Sequence, residues 1–546
     1  MSFATRPLRR GRPWRTALCL LGLATGLRAF AAEPTPEGDA PAPSSSNPAT
    51  PADAAPAQST KRAVYIPEHV KAELREQIKQ EVLAQAKAEN WAAPNAVPEW
   101  IKRFKLGGDL RLRYERDMFR MGNENTGYYA DFNAINTGAP ADLLDKDVTN
   151  TRFLNVDQRR VRPRLRARLG LDVDLGQGFT VGVRLASGDG SSPISTNQTL
   201  GGSAGNFSKY QFWLDRAFLR WTQSLEVGEL ALTAGRFENP FFATELVWSD
   251  NVNLDGLALQ GRGTGEVVRP FFVAGAFPVF TTSFDYPAES SAKFRSLDKW
   301  LFAAQVGGEW RPGEGMGLRL GAAFNFFNHV EGKLSSPCDT NLKGFACDTD
   351  ASRPSFAQKG NTYMPLRTPN DNARVLEVTS NASQYQYFGL ASRFRELVGT
   401  ARFDLALAPG LGLVAEGEVV RNAGFSRKQI APVALNYCGD DKTSCWYIGG
   451  NMGYLARVKL GTPALVKRWD WNVSITYRYI ESDAVVDAFN DSDFGLGGTN
   501  LKGFATAASV GVADNVVAAL RWMSADAVAG PTYGNDLVQI DLAARF

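Results

Sequence analysis

From Arg160 to Arg168 every even-numbered residue is arginine. Guanidinium groups stay charged and fork onto carboxylates and phosphates, but do no acid–base work near neutral pH. This row can therefore hold or steer anions and cannot be a nucleophile or base. Side chains that could be are scarce. The chain has two histidines, His69 and His329. No nucleophile elbow, Ser-His-Asp set or phosphate-binding glycine loop stands out. Carboxylates group at Asp142, Asp145 and Asp147, at Asp250, and at Asp491 and Asp493. With 57 acidic residues such groups arise by chance, which outweighs a calcium site. The sequence calls for no enzyme, no metal and no cofactor.

The elements that would position the arginines follow from the residues between them. Val161, Pro163, Leu165, Ala167, Leu169, Leu171 and Val173 occupy the odd positions. After Gly176-Gln177-Gly178 the alternation resumes at Phe179, Val181, Val183 and Leu185. Side chains on a strand alternate faces with a period of two, so this is a hairpin with one apolar face and one guanidinium-lined face. A helix would scatter the arginines. By itself the hairpin suits equally a charged strand of a soluble β-protein and a membrane barrel with a polar interior.

The 546 residues exceed one ordinary soluble domain. No apolar run of eighteen follows the N-terminus, which excludes a helical membrane protein. Residues 1–31 read as a cleaved secretory signal: an Arg-rich start, the apolar run Ala17–Ala24 and the small-x-small site Ala29-Phe30-Ala31. Six positive charges and no acid lie there, so the formal +3 becomes −3 without them. The basic balance is thus no evidence for nucleic acid, and no nucleic-acid motif appears. Residues 32–66 are Pro/Ala/Ser-rich and read as a disordered linker. Residues 67–91 predict an amphipathic helix with Val70, Leu74, Ile78 and Val82 on one stripe. It would lie against a periplasmic barrel end, or less readily form a coiled coil. Residues 92–103 link it to a domain spanning 104–546.

That domain holds about sixteen amphipathic strands. In the cleanest, Trp469, Trp471, Val473, Ile475, Tyr477 and Tyr479 share one face, with Asp470, Asn472, Ser474, Thr476 and Arg478 on the other. Aromatics flanking aliphatics suit two membrane interfaces. Phe218 and Arg236 break the pattern of their strands. Connections alternate short and long, as in outer-membrane barrels. The fold expected is an all-β membrane protein: a closed antiparallel transmembrane β-barrel of about sixteen strands with a short periplasmic helix. The final alternating strand ends on Phe546, which looks like the signal read by the barrel-assembly machinery. Four cysteines remain beyond the signal: Cys338, Cys347, Cys438 and Cys445. In an exported chain they predict disulfides, Cys338–Cys347 and Cys438–Cys445, with a cross-loop pairing as the alternative. Zinc fits their spacing poorly.

Residues 107–117 (GGDLRLRYERD), 160–171 (RVRPRLRARLGL), 214–221 (LDRAFLRW) and 234–260, with Phe546, resemble the bacterial "putative porin" family of outer-membrane proteins. The resemblance implies a water-filled diffusion pore in the outer membrane of a Gram-negative bacterium. On that reading Arg111, Arg113, Arg160, Arg162, Arg164, Arg166, Arg168, Arg184, Arg216 and Arg220 line one wall. Glu309, Asp404, Glu416 and Glu418 are the candidates opposite. A transverse field of this kind screens solutes by size and charge, with a modest anion preference expected here. Alternatively the arginines only pair with lumen carboxylates and stiffen the wall. The third long connection, Glu238–Asn253, carries Asn239, Phe241, Phe242, Glu245, Trp248 and Asp250. It suits a constriction loop packed inside the barrel, or an ordinary outer loop. Expected partners are outer-membrane lipid, the assembly machinery and small hydrophilic solutes; a homotrimer is expected by analogy with sixteen-stranded porins. The competing function is an envelope structural or adhesion protein, its barrel an anchor and its long loops and N-terminal helix the binding surfaces.

Overall fold

The computed structural model describes residues 76–77, 80–81, 99–124, 129–143, 152–202, 205–283, 294–338, 347–369, 385–438 and 446–546. Residues 1–94 and 95–546 form two units. In the first, Glu76, Gln77, Gln80 and Glu81 are described, all helical and exposed. The expected signal and linker, and most of the expected helix, lie outside the described residues.

The second unit is a closed antiparallel barrel of sixteen strands. They are β1 (Phe104–Phe119), β2 (Arg160–Gly176), β3 (Phe179–Ser187) and β4 (Phe212–Leu225). Next come β5 (Gly228–Glu238), β6 (Asn253–Gly263), β7 (Val268–Phe280), β8 (Lys299–Gly313), β9 (Met316–Asn328) and β10 (Arg395–Ala408). The last six are β11 (Leu411–Asn422), β12 (Met452–Gly461), β13 (Trp471–Ile480), β14 (Leu501–Ala513), β15 (Val516–Ala527) and β16 (Gly534–Arg545). Each pairs with the next, and β1 pairs with β16 from Asp109↔Arg545 to Phe119↔Asn535. Closure of the ring leaves no free edge strand facing lipid. Among the described residues no helix is long and apolar enough to cross a membrane.

The two faces separate by polarity. On β1, Leu110, Leu112 and Tyr114 are 43–46% exposed on the outside, while Arg113 and Glu115 are 3% and 1% exposed inside. Connections at one end are tight. The β2–β3 turn uses Gly176, Gln177 and Gly178, all at positive φ, where glycine is strain-free. Connections at the other end are long. Three of them, 239–252, 329–394 and 481–500, contribute to one buried apolar cluster with strand residues Phe237, Phe277, Leu301 and Ile480. A polar network joins the last two to each other and to Tyr447: Asp483 accepts from Thr362 and Tyr447 (2.6 Å each), and the Asn361 amide donates to Ser482 and Val485 (2.6 and 2.9 Å).

Both irregular strand positions have a physical cause. Phe218 faces inward opposite Gly182, and a Cβ on Gly182 would meet its ring at 2.3 Å. The ring fills the place of the missing side chain. Arg236 points outward and pairs with Asp255 of β6 at 2.8 Å.

Candidate functional site

The barrel interior holds a cavity of about 740 Å³. It begins near Val466 and Val517 at the short-turn end and is walled by β1, β2, β10–β16 and residues of three long connections, at Asn197, 245–251 and 491–494. Eight cationic side chains reach it: Arg111, Arg166, Arg402, Arg457, Lys459, Arg478, Arg521 and Arg545. Six acidic ones do: Glu245, Asp250, Glu416, Asp491, Asp493 and Asp541.

Strand alternation sends the arginine row inward, and antiparallel register gives four of the five a carboxylate one strand away. Asp109 on β1 holds Arg166 at 2.7 Å and Arg168 at 2.5 Å. Glu115 holds Arg162 at 2.7 Å and Arg164 at 3.4 Å. Arg113 forks onto Asp541 of β16 (2.7 and 2.8 Å) and reaches Asp493 at 2.9 Å. Arg111 donates to Asn197. Arg160 is exposed at the long-loop end of β2. A bulge between Arg184 and Leu185 of β3 and Arg216 and Leu214 of β4 turns Asp215 inward, where it accepts from Arg184 at 2.6 Å. Arg216 bonds Asn253 and Glu238 (2.8 and 2.7 Å), and Arg220 donates to Thr233 (3.1 Å).

The carboxylates named for an opposite wall are also paired nearby. Asp404 and Glu416 share Arg402, each at 2.8 Å, and Glu309 takes Arg262 and Arg311 (3.0 and 3.2 Å). Glu418 does not line the cavity. It is 1% exposed and accepts from the Thr244 amide (2.9 Å), the Thr244 hydroxyl (2.6 Å) and the Thr400 hydroxyl (2.9 Å). Charges of both signs are therefore intermixed around the interior instead of dividing into two walls. Register decides this, and register is not legible in one strand's alternation. The same alternation does mark Arg457, Lys459, Arg478, Arg521 and Arg545 as inward-facing.

Residues 239–252 run inside the barrel. The Phe242 amide donates to the Gln305 side chain on β8 and its carbonyl accepts from it, both at 2.7 Å. The Phe242 ring lies 4.1 Å from the Arg319 guanidinium. Glu245 is ion-paired with Arg457 of β12. Asn239 caps Phe241 (3.1 Å), whose ring packs on Phe277. Trp248 is buried against Phe327 and Phe489. Asp250 faces the cavity; burial and then the neighbouring Asp491 raise its carboxyl above the ordinary range. At Asp493 burial acts the same way, but Arg113 and Arg521 prevail and hold the carboxyl low.

Cys338 and Cys347 are joined by a disulfide. Cys438 is disulfide-bonded as well; Cys445 lies outside the described residues. Phe546 exchanges backbone bonds with Gly108 (3.0 and 3.1 Å), and its ring covers that glycine, where a Cβ would sit 2.5 Å away.

The family model described as "Putative porin" matches residues 25–546. No curated protein matches the chain. Among solved structures, the chain is similar to the outer membrane channel DcaP of Acinetobacter baumannii, at 10% identity over 81% of this chain and 97% of that one, with a TM-score of 0.36. It is likewise similar to OprB of Pseudomonas putida, at 10% identity over 84% and 97%, with a TM-score of 0.40.

Proposed function

This chain belongs to the Putative porin family, and on that premise we propose an outer-membrane diffusion channel for small hydrophilic solutes with a modest preference for anions. The observation that carries the preference is the excess of cationic over acidic side chains around the interior cavity. Most of the arginines are neutralised locally. Lys459 and Arg545 reach the cavity and make no ion pair among the described residues, so the positive excess resides chiefly there. A guanidinium bound to a carboxylate at 2.7 Å presents a dipole to a passing ion; an unpaired one presents a charge. Residues 239–252 are the constriction on this reading, and Glu245, Asp250 and Arg457 form its charged rim. Assembly through the C-terminal phenylalanine, a trimeric state and a Cys438–Cys445 bridge belong to the same proposal.

Reversal potentials across a salt gradient, for the full chain in planar bilayers, test it. Conduction with anions favoured severalfold or less is expected. Strong cation selectivity would refute the charge assignment. A barrel that does not conduct would favour an anchor carrying outer binding loops.

A further inference from the structure

We propose that the seam between β6 and β7 admits one acyl chain of an outer-leaflet lipid into an apolar cavity behind Trp248. The idea needs the barrel to lie in the membrane, and does not need it to be a pore.

The seam is short. β6 and β7 share six residue pairs, from Leu257↔Ala276 to Arg262↔Phe271. The seams on either side have eleven and twelve. At the long-loop end, residues 253–256 and 277–280 therefore bond only to their other neighbours. Two residues account for this. Pro278 has no N–H to give. Gly256, at φ +139°, crosses so close to β7 that a Cβ would lie 2.3 Å from the Ala276 carbonyl oxygen, and pairing stops beyond it.

A cavity of about 250 Å³ lies where the ladder is missing. Leu254, Phe277 and Val279 line it from the seam; Trp248, Val486 and Phe489 line it from inside. It shares no lining residue with the charged cavity; Trp248 and Phe489, packed at 5.9 Å, belong to its inner wall. Its charged members have partners of their own. Arg236 and Asp255 pair on the outer face, and the Lys299 ammonium is committed to the Ser352 and Arg353 carbonyls (2.9 and 2.6 Å).

The height of the mouth selects the occupant. Pro278 and Ala276 are register partners of Trp300 and Phe302, two outward rings stacked at 6.0 Å. Such rings mark the level where head groups meet chains. A mouth at that level faces hydrocarbon below and phosphate above, with the Arg236 guanidinium beside it. Apolar walls gain dispersion contacts from hydrocarbon and give water few partners. The volume falls just below the roughly 300–1,000 Å³ of small-molecule pockets, which suits a single chain.

The test uses Trp248 as the reporter, its signal isolated by difference from Trp248→Phe. The full chain is reconstituted in vesicles of phospholipid brominated at mid-chain, since bromine quenches tryptophan only near contact. At least twofold quenching of Trp248 is expected. Val279→Phe and Ala488→Phe each fill the cavity and should abolish it, while both keep the heat-modifiable gel mobility of a folded barrel. Undiminished quenching in both filled variants, or none in the parent, overturns the proposal. In a second arm the vesicles are unbrominated and a brominated single-chain fatty acid is added. Quenching confined to that arm would mean a free amphiphile and not a lipid, and would also overturn it.

Discussion

Replacing Glu418 by Ala should release the inward segment 239–252 from β11 without opening the barrel. The carboxylate takes two bonds from Thr244 and one from Thr400. A hydrogen bond to a charged acceptor contributes about 1.5–3 kcal/mol net. Two such bonds hold the segment, and removing the carboxylate also removes the cost of burying it, so the loosening is roughly 2–4 kcal/mol. The segment should stay inside, because Gln305 still clasps Phe242 and Arg457 still pairs with Glu245. It should open more often. At 2 kcal/mol the Thr244 amide should exchange with solvent roughly thirtyfold faster, at tenfold per 1.4 kcal/mol. Thr244→Val removes the hydroxyl bond to Glu418 and a longer one accepted from the Leu246 amide (3.3 Å), but keeps the Thr244 amide bond to Glu418, and should give about half the free-energy effect. The double variant should show a coupling of about 1–2 kcal/mol. In a bilayer, Glu418→Ala should raise open-channel noise and admit larger solutes. If Thr244 exchange in Glu418→Ala stays within twofold of the parent, the carboxylate is not the tie and the reasoning fails.

Replacing Lys459 and Arg545 together by Gln should move the reversal potential toward cations, with stability unchanged. Replacing Arg162, Arg164 and Arg166 together should lower anion preference too, but also reduce stability, since Glu115 at 1% exposure loses two partners; unmoved selectivity in both variants would reduce these cations to struts. In the loop cap, burial pushes the Asp487 carboxyl up to about 7. A raised acid favours its neutral form in the fold, so its contribution to stability is present below about pH 4 and is lost as pH rises to about 7. Lys359, pushed down to about 7 by burial, acts oppositely, losing stability as pH falls from about 10 to 7. Asp487→Asn should therefore slow hydrogen exchange in 483–490 at pH 8 and leave it unchanged or faster at pH 4; the same change at both pH values counts against the titration. Gly108→Val drives a Cβ into the Arg168 carbonyl and the Phe546 ring, each at 2.5 Å, and should cut the yield of heat-modifiable barrel severalfold; full yield would show that the closing seam tolerates the clash.

Strand existence was legible because lipid and interior impose opposite polarity on alternate residues. About sixteen strands are expected and sixteen are found, and the alternation from Trp469 to Tyr479 falls on the strand Trp471–Ile480. What alternation cannot carry is who sits beside whom. Asp109 and Arg166 are 57 residues apart and meet at 2.8 Å because two strands slide into one register. The Asp215 bulge adds a residue where a period of two allows none. The reach of Thr244 to Glu418 spans 174 residues and has no local signature. Phe241, Phe242 and Trp248 hinted that their segment avoids water; they could not indicate its partners. Asn361, Thr362 and Asp483 carry no local sign of their network, since a polar residue in a long loop reads as solvated until its neighbours are known.

A hollow cylinder yields most easily by flattening, since bending the wall strains it less than stretching it. The segment between β5 and β6 changes those mechanics. It leaves one side, grips β8 through Gln305, β11 through Glu418 and β12 through Arg457, and returns to its starting side. That is a spoke fastened to the rim at several places. Squeezing from the surrounding bilayer must then stretch polar bonds before it can make the cross-section oval, and the bore keeps its roundness under load.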